Sequence, residues 1–489
     1  MADMILRGGE IIDGTGAPGY QADLVIDKGK IIAIEEASQI RAALEINANG
    51  KVVCPGFIDI HNHSDFPLLI NRFAESGIRQ GITTAVTGNC GHGPAPAPIK
   101  KWAEQTTIGF NASWGEEITW KTFAGYLDVL FSSGISINVA PLVPHGTIRL
   151  AVMGFEARTA TGKEIDSMKS LVAEAMSAGA AGFSTGLEYS PGQHADEDEI
   201  VALSEVAAKH GRFYASHIRN RGDAFKAAVR EALNISRRAG LPAQLSHLAP
   251  RPYADEGVFD EVLDMIYTAR DKENLEIGID TFPDTWGPGM VVTLLPPRVY
   301  EGPHEEVLKR LHDPATVEKC RAYIENPTNY LLRLGGLENF YLTYSKSYPE
   351  LVEKNFKEIA EIFGIDYTET IFKLLLADGK EFYTVLLRHI YARQQDLDKL
   401  LLQPICSLES DGIFAAPYGL LQNFVMNRSS YGYTIRFIQE YALERKLLTL
   451  EDAIRKMTAL PAAGARLDNR GKLLPGMAAD VVILDLDSL

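Results

Sequence analysis

The chain has 489 residues, 46% hydrophobic and 23% charged, with 48 Lys and Arg against 64 Asp and Glu for a formal net charge of −16. A chain of this length buries a large core without disulfides or a structural metal, and an acidic balance without a block of Lys or Arg excludes nucleic acid and anionic membrane as main partners. Met1 to Tyr20 has no basic segment leading into an apolar run, and the cysteines Cys54, Cys90, Cys320 and Cys406 are scattered, so a reducing, cytoplasmic location is expected.

In chain order, residues 1–54 read as short strands, Met4-Ile5-Leu6, Leu24-Val25-Ile26 and Ile31-Ile32-Ala33-Ile34, separated by Gly8-Gly9, Asp13-Gly14 and Asp27-Lys28-Gly29-Lys30. Residues 471–489 repeat that chemistry, with Ala479-Asp480-Val481-Val482-Ile483-Leu484 matching Ala22-Asp23-Leu24-Val25-Ile26. Both chain ends are therefore expected to pair in one small β-sandwich domain. Between them, buried strand, turn and helix alternate. Eight candidate strands stand at Val52–Ile60, Ile82–Thr87, Ile135–Leu142, Ala181–Gly186, Phe213–Ser216, Ala243–Ser246, Leu275–Asp280 and Gln403–Leu408. Their continuous apolar runs, interleaved with amphipathic stretches such as Glu164–Ala178, Asp223–Ala239 and Val258–Ala269, predict parallel strands covered by helices. Eight units are the count of an α/β protein with a (β/α)8 TIM-like barrel, here over residues 55–470. The seventh and eighth strands lie too far apart for one helix. The extra segment, about 286–393, contains Pro296-Pro297 and the helical stretches Pro314–Ile324, Leu351–Phe363 and Tyr367–Leu376, and is expected to lie over the site as a lid.

The sharpest local feature is Pro55-Gly56-Phe57-Ile58-Asp59-Ile60-His61-Asn62-His63, where two histidines alternate at the end of an apolar strand. Alternation by two puts both imidazoles on one side. Two surface histidines would produce the same spacing, so the other strand ends decide. Cys90 follows the second strand in Gly88-Asn89-Cys90-Gly91, His217 ends the fifth, His247 the sixth, and Asp411 the eighth in Ser410-Asp411-Gly412. Six groups with metal-ligand chemistry thus converge on one rim, and thiolate with imidazoles suits Zn²⁺ better than Mg²⁺ or Ca²⁺. His92 and His145 are expected in supporting or structural roles. His194, His210, His304, His312 and His389 are expected to be solvent-facing or structural.

These stretches, with Val143-Pro144-His145-Gly146-Thr147-Ile148-Arg149, Gly186-Leu187-Glu188-Tyr189-Ser190-Pro191-Gly192 and Ser216-His217-Ile218-Arg219-Asn220, resemble the amidohydrolase superfamily and, within it, the N-acyl-D-amino-acid deacylases (D-aminoacylases), over nearly the whole chain. The resemblance implies a tight zinc on Cys90, His217 and His247, a second, weaker position on His61, His63 and Asp411, and hydrolysis of a non-peptide C–N bond with Asp411 as general acid and base. It also implies anchors for the substrate's free carboxylate, and there this chain departs from the pattern. A Lys two residues after the sixth-strand His, a Tyr just after the seventh strand and a Ser beyond it are replaced by Ala249, Phe282 and Pro288, and a His-Pro-Arg run by Met426-Asn427-Arg428. Either Arg251, Arg428 or a lid residue takes over, or the substrate is a hydrophobic amide without that carboxylate, held among Tyr189, Phe282, Trp286 and Pro288. The alternatives are another amide, lactam, carbamate or ester on the same metal, or a metal-binding barrel without catalysis. The expected partner is a small-molecule amide; homo-oligomerisation stays open.

Overall fold

The computed structural model describes residues 1–37, 39–111 and 114–489. The N-terminal segment forms β1 (Ala2–Ile11), β2 (Tyr20–Asp27), β3 (Lys30–Glu35), β4 (Ala42–Asn47) and β5 (Val52–Pro55). β1 pairs antiparallel with β2, and β2 with β3. The other edge of β1 is shared lengthwise, Ala2 to Arg7 running parallel to β4, and Glu10 and Ile11 parallel to β5. The division falls where the register shifts between Leu6 and Gly9. There Gly8 takes φ +64°, a left-handed conformation that costs glycine no side-chain clash. Period-two alternation sorts Leu6, Leu24 and Val53 onto one face and Ile5 and Val25 onto the other.

Val52–Ile60, expected as one strand, is broken at Gly56. Val52–Pro55 stays in the terminal sheet, and β6 (Phe57–Asp59) opens a parallel one. A Cβ at position 56 would lie 2.1 Å from Thr83 Oγ1, so the change of sheet needs glycine. β6 pairs with β7 (Ile82–Thr87), and β7 with β8 (Asn138–Pro141). After an interruption at Leu142 the chain continues as β9 (Val143–Pro144), which pairs with β10 (Gly182–Gly186). β11 (Phe213–His217), β12 (Ala243–Leu245) and β13 (Ile277–Thr281) follow side by side, every pairing parallel. Helices such as Gly162–Ala178, Phe225–Ala239 and Val258–Glu273 connect them. The first of these starts at a Thr161/Glu164 capping box, buries Met168, Val172 and Ala175 at i, i+4 and i+7, and stops at Gly179 with φ +112°.

The segment after β13 builds a three-stranded antiparallel sheet in the order β14 (Trp286–Met290), β16 (Leu386–Ile390), β15 (Phe340–Tyr344). It has its own core, including Leu294, Phe356, Leu374 and Leu387. The helix expected over Leu351–Phe363 begins only at Phe356, capped by Asn355. β17 (Cys406–Leu408) then returns to the parallel sheet beside β13. It starts later than the expected Gln403 because the preceding helix Gln394–Leu401 runs into turns closed by Gln403 N to Leu400 O and Cys406 N to Gln403 O, both 3.0 Å. Beyond β17 and β6 the backbones meet again. Asn62 and Gly412 form a parallel bridge, His63 N donates to Gly412 O at 2.8 Å, and Asp411 N donates to His61 O at 3.1 Å. The closing strand, β18 (Val481–Leu484), pairs antiparallel with β5. The chain ends thus share a single six-stranded sheet with apolar clusters on both faces, where two packed sheets were expected. The split edge of β1 accommodates β4 and β5 end to end. The molecule is of the α/β class. Among the described residues no helix is long and apolar enough to cross a membrane.

Candidate metal centre

The C-terminal ends of the parallel strands carry the six groups singled out above. Cys90 Sγ lies 3.3 Å from His61 Nε2, 3.7 Å from His217 Nδ1 and 3.6 Å from His247 Nε2. His217 Nδ1 and His247 Nε2 are 2.9 Å apart. Asp411 Oδ1 stands 3.1 Å from His63 Nε2 and 3.6 Å from His61 Nε2. The two ligand trios expected from the sequence are therefore not separate clusters. Sulfur is nearer to His61 than to either of its expected partners, and one atom each from His61, Cys90, His247 and Asp411 all fall within 4.8 Å of one another.

The sulfur–nitrogen spacings suit tetrahedral zinc. With Zn–N and Zn–S bonds of about 2.0–2.3 Å, ligand atoms around zinc stand roughly 3.3–3.6 Å apart; the sulfur–nitrogen distances here run from 3.3 to 3.7 Å. Protonation states agree. Burial drives His61 down to about 3, and lowers His217 and His247 as well, so the imidazoles keep a lone pair for metal. Burial, reinforced by Asp411 and Glu409, raises the Cys90 thiol. A thiolate there requires a cation beside it. Burial alone would raise Asp411, but the hydrogen bond to His63, with the other imidazoles nearby, outweighs it and holds the carboxyl at about 2.

Local structure aims these side chains. Cys90, His247 and Asp411 take φ of +54°, +37° and +43°, strained left-handed conformations of the kind that persist where the surroundings over-determine them. Around Cys90 the backbone packs on backbone. A Cβ at Gly88 would meet Leu142 O at 2.4 Å, and one at Gly186 would meet Cys90 O at 2.1 Å. Asp280 accepts His247 N at 2.8 Å and Gln244 Nε2 at 2.7 Å. Asp59 accepts Ser410 Oγ at 2.6 Å and Asn62 Nδ2 at 2.9 Å, tying the ends of β6 and β17 together. Asn427 Nδ2 donates to the carbonyls of Ser410 and Asp411 at 2.8 and 2.9 Å.

Three further supports were not among the residues expected from the sequence. Glu188 Oε2 lies 2.8 Å from His217 Nε2, leaving Nδ1 to face Cys90; a carboxylate behind a ligating imidazole fixes its tautomer and orientation. Tyr391 Oη donates to His247 O at 2.6 Å. Arg221 Nη1 donates to the same carbonyl at 3.2 Å, its guanidinium 4.8 Å over the Tyr391 ring. Glu188 lies inside a motif already singled out for Tyr189, but Arg221 and Tyr391 reach the site through contacts distant in sequence.

A cavity of about 290 Å³ opens beside these groups, roofed by residues 287–300, 323, 330 and 386–391 of the inserted segment. Of the residues expected to hold substrate, Tyr189, Arg251 and Pro288 line it. The other three do not. Phe282 is fully buried against Tyr391 with ring centroids 4.5 Å apart, and Trp286 packs against Tyr341 and Arg388. Arg428 is exposed beside a different depression, near Pro283 and Arg436. His389, expected at the surface or in a structural role, is buried on β16 and lines the main cavity. His145 pairs with Glu199 at 2.8 Å in a buried cluster with Arg149, and His92 packs against Tyr189.

Comparison with known proteins extends this geometry. The amidohydrolase family profile matches residues 44–283. N-acyl-D-glutamate deacylase of Alcaligenes xylosoxydans xylosoxydans is 33% identical over 489 residues, covering all of this chain and 88% of that protein. A crystal structure of D-aminoacylase superposes with TM-score 0.80 at 30% identity, over 99% of this chain and 90% of that one. The N-acyl-D-glutamate deacylase of Bordetella bronchiseptica, solved with zinc and a phosphonate mimic of the tetrahedral intermediate, gives the same TM-score, identity and coverage.

Proposed function

The chain belongs to the amidohydrolase family, in the branch of the N-acyl-D-amino-acid deacylases, and on that footing we propose that it is a zinc-dependent amidohydrolase cleaving the amide bond of a small N-acyl compound related to N-acyl-D-amino acids. The observation that carries this reading is the convergence of His61, Cys90, His247 and Asp411 from four strand ends, their ligand atoms all within 4.8 Å of one another, with His217 beside Cys90 and His247. We infer further that the parallel strands form a (β/α)8 barrel over residues 55–470, that residues 1–54 and 471–489 make the small β-domain, and that 286–393 acts as a lid. The location in this reading is cytoplasmic.

Cys90, His217 and His247 hold the tight zinc in this reading, with His61, His63 and Asp411 available to a second, weaker one. Bound zinc supplies Lewis acidity, lowering the pKa of water toward about 7 and polarising a carbonyl oxygen. Asp411, anionic and bonded to His63, takes the proton of the attacking water and returns it to the leaving nitrogen, a shuttle worth about 10²–10⁴-fold. Glu188 holds His217 in orientation, and the inserted segment keeps bulk water from the cavity. Asp411→Asn should retain zinc by elemental analysis and lose about 10²–10⁴-fold in turnover on N-acetyl-D-amino acids. Unchanged turnover would remove Asp411 from the mechanism.

A further inference from the structure

The cavity wall away from the candidate ligands carries an imbalance of charge. Apart from Asp411, the ionised side chains lining it are Glu188, Arg221 and Arg251, two guanidinia against one carboxylate. Both arginines are more than nine-tenths buried. Glu188 is shared, with Oε2 taking His217 at 2.8 Å and Oε1 in a loose ion pair with Arg251 Nη2 at 3.5 Å, beyond a strong hydrogen bond. Arg251 Nη1 and Arg221 Nε have no protein partner. The carbonyls of His247 and Ala249 engage Arg221 without neutralising it. A buried guanidinium with an unused donor facing a cavity is costly unless a ligand supplies the missing acceptor and charge.

From this imbalance we infer that the substrate is a monoanion whose carboxylate binds Arg251, with Arg221 behind it, and whose remaining bulk is neutral and largely apolar. This rests on the amidohydrolase reading and names the substrate class of that site. The position fits a carboxylate on the carbon next to the amide nitrogen, because one carboxylate, Glu188, contacts both Arg251 and the candidate ligand His217. Neither arginine occupies positions 249, 282 or 288, so the anion is read by different side chains from those the family pattern predicts. Of the alternatives left open by the sequence, it takes the one in which Arg251 replaces the three lost anchors over an amide lacking the carboxylate. The single uncompensated charge selects against dianions. Around it Tyr253, Tyr300, Tyr330, Met290 and Leu386 offer aromatic and aliphatic surface to a neutral side chain.

The test compares the zinc-loaded full chain with Arg251→Gln and Arg251→Lys on N-acetyl-D-phenylalanine, its carboxamide and N-acetyl-D-glutamate. The wild type should prefer the monoacid to both others by about tenfold or more in kcat/KM. Arg251→Gln should lose about 10- to 100-fold on the monoacid, mainly through KM, and stay within about threefold of wild type on the carboxamide. Arg251→Lys should recover part of the loss. Equal or better hydrolysis of the carboxamide or the dianion by the wild type, or a loss in Arg251→Gln shared by acid and carboxamide, overturns the inference. If the wild type hydrolyses none of the three, the deacylase reading fails instead. Calorimetric binding then decides the anion site: tighter binding of the acid than of the carboxamide, lost in Arg251→Gln, upholds it, and equal binding overturns it.

Discussion

Replacing Glu188 by Gln keeps the shape of the side chain and removes its charge, and the consequence for the metal follows from the geometry. Glu188 Oε2 meets His217 Nε2 at 2.8 Å, so Nε2 carries the hydrogen and Nδ1, directed at Cys90 and His247, presents the lone pair. An anionic acceptor raises the basicity of that lone pair and fixes the ring; an amide oxygen accepts the same hydrogen more weakly and its amide nitrogen favours the wrong rotamer. Loss of such a support costs about 10- to 100-fold in metal affinity, or ~1.4–2.7 kcal/mol. The assay is zinc competition with a chromophoric chelator near neutral pH on wild type and Glu188→Gln, with circular dichroism confirming the fold. The expected result is a zinc Kd raised within that range, turnover at saturating zinc being less affected. A Kd unchanged within about threefold would refute the claim that Glu188 tunes His217, and with it the assignment of Nδ1 as the coordinating atom.

Cys90→Ala should release the tight zinc, so elemental analysis after dialysis should find it depleted where the wild type retains it; equal metal content would discard Cys90 as a ligand. Stripping the wild type with a chelator should lower the Tm, because an ion present at about 100-fold over its Kd contributes roughly 2.7 kcal/mol to the folded state, and an unmoved Tm would mean no tight site. Glu199 is buried between His145 and Arg149. Removing one member of a buried ion cluster costs about 3–5 kcal/mol, so Glu199→Ala should shift urea denaturation by that amount. Burial would raise this carboxyl, but its partners prevail and hold it at about 2, below the ordinary 4.5. The unfolded chain therefore takes the proton first, and the stabilisation is complete above about 4.5 and lost as pH falls toward 2. Glu199→Gln should flatten that acid limb, and parallel pH profiles would contradict the assignment.

Much of the fold was legible because a buried parallel strand writes itself as a continuous apolar run. Ile82–Thr87 matches β7 residue for residue, and the runs ending at Gly186, His217 and Leu245 agree within a residue or two. Ligand-type residues following such runs, Cys90, His217 and His247 among them, mark a common rim before any coordinates are seen. Which ligands face which is another matter. His61 lies closer to Cys90 than His217 does, and that depends on how strand ends curve in three dimensions. The wall of the cavity was least legible. Past a strand end no period governs where a side chain points, so Phe282 turned away while Tyr391, at the far end of a long insertion, turned in. Arg251 stood among several candidate anchors in the sequence, and only its burial in the cavity wall distinguishes it from Arg428.

The pairing of β5 with β18, one glycine before β6, bears on how the protein matures during synthesis. The hinge at Gly56 connects the rod bearing His61 and His63 directly to a strand whose partner emerges from the ribosome more than four hundred residues later. Asp411, which must settle between those imidazoles, is itself a late arrival. Contacts of such long range close slowly, so the histidines translated first wait longest for their surroundings. A nascent chain halted before residue 481 would hold every donor for the ion yet lack the splint that steadies the earliest pair.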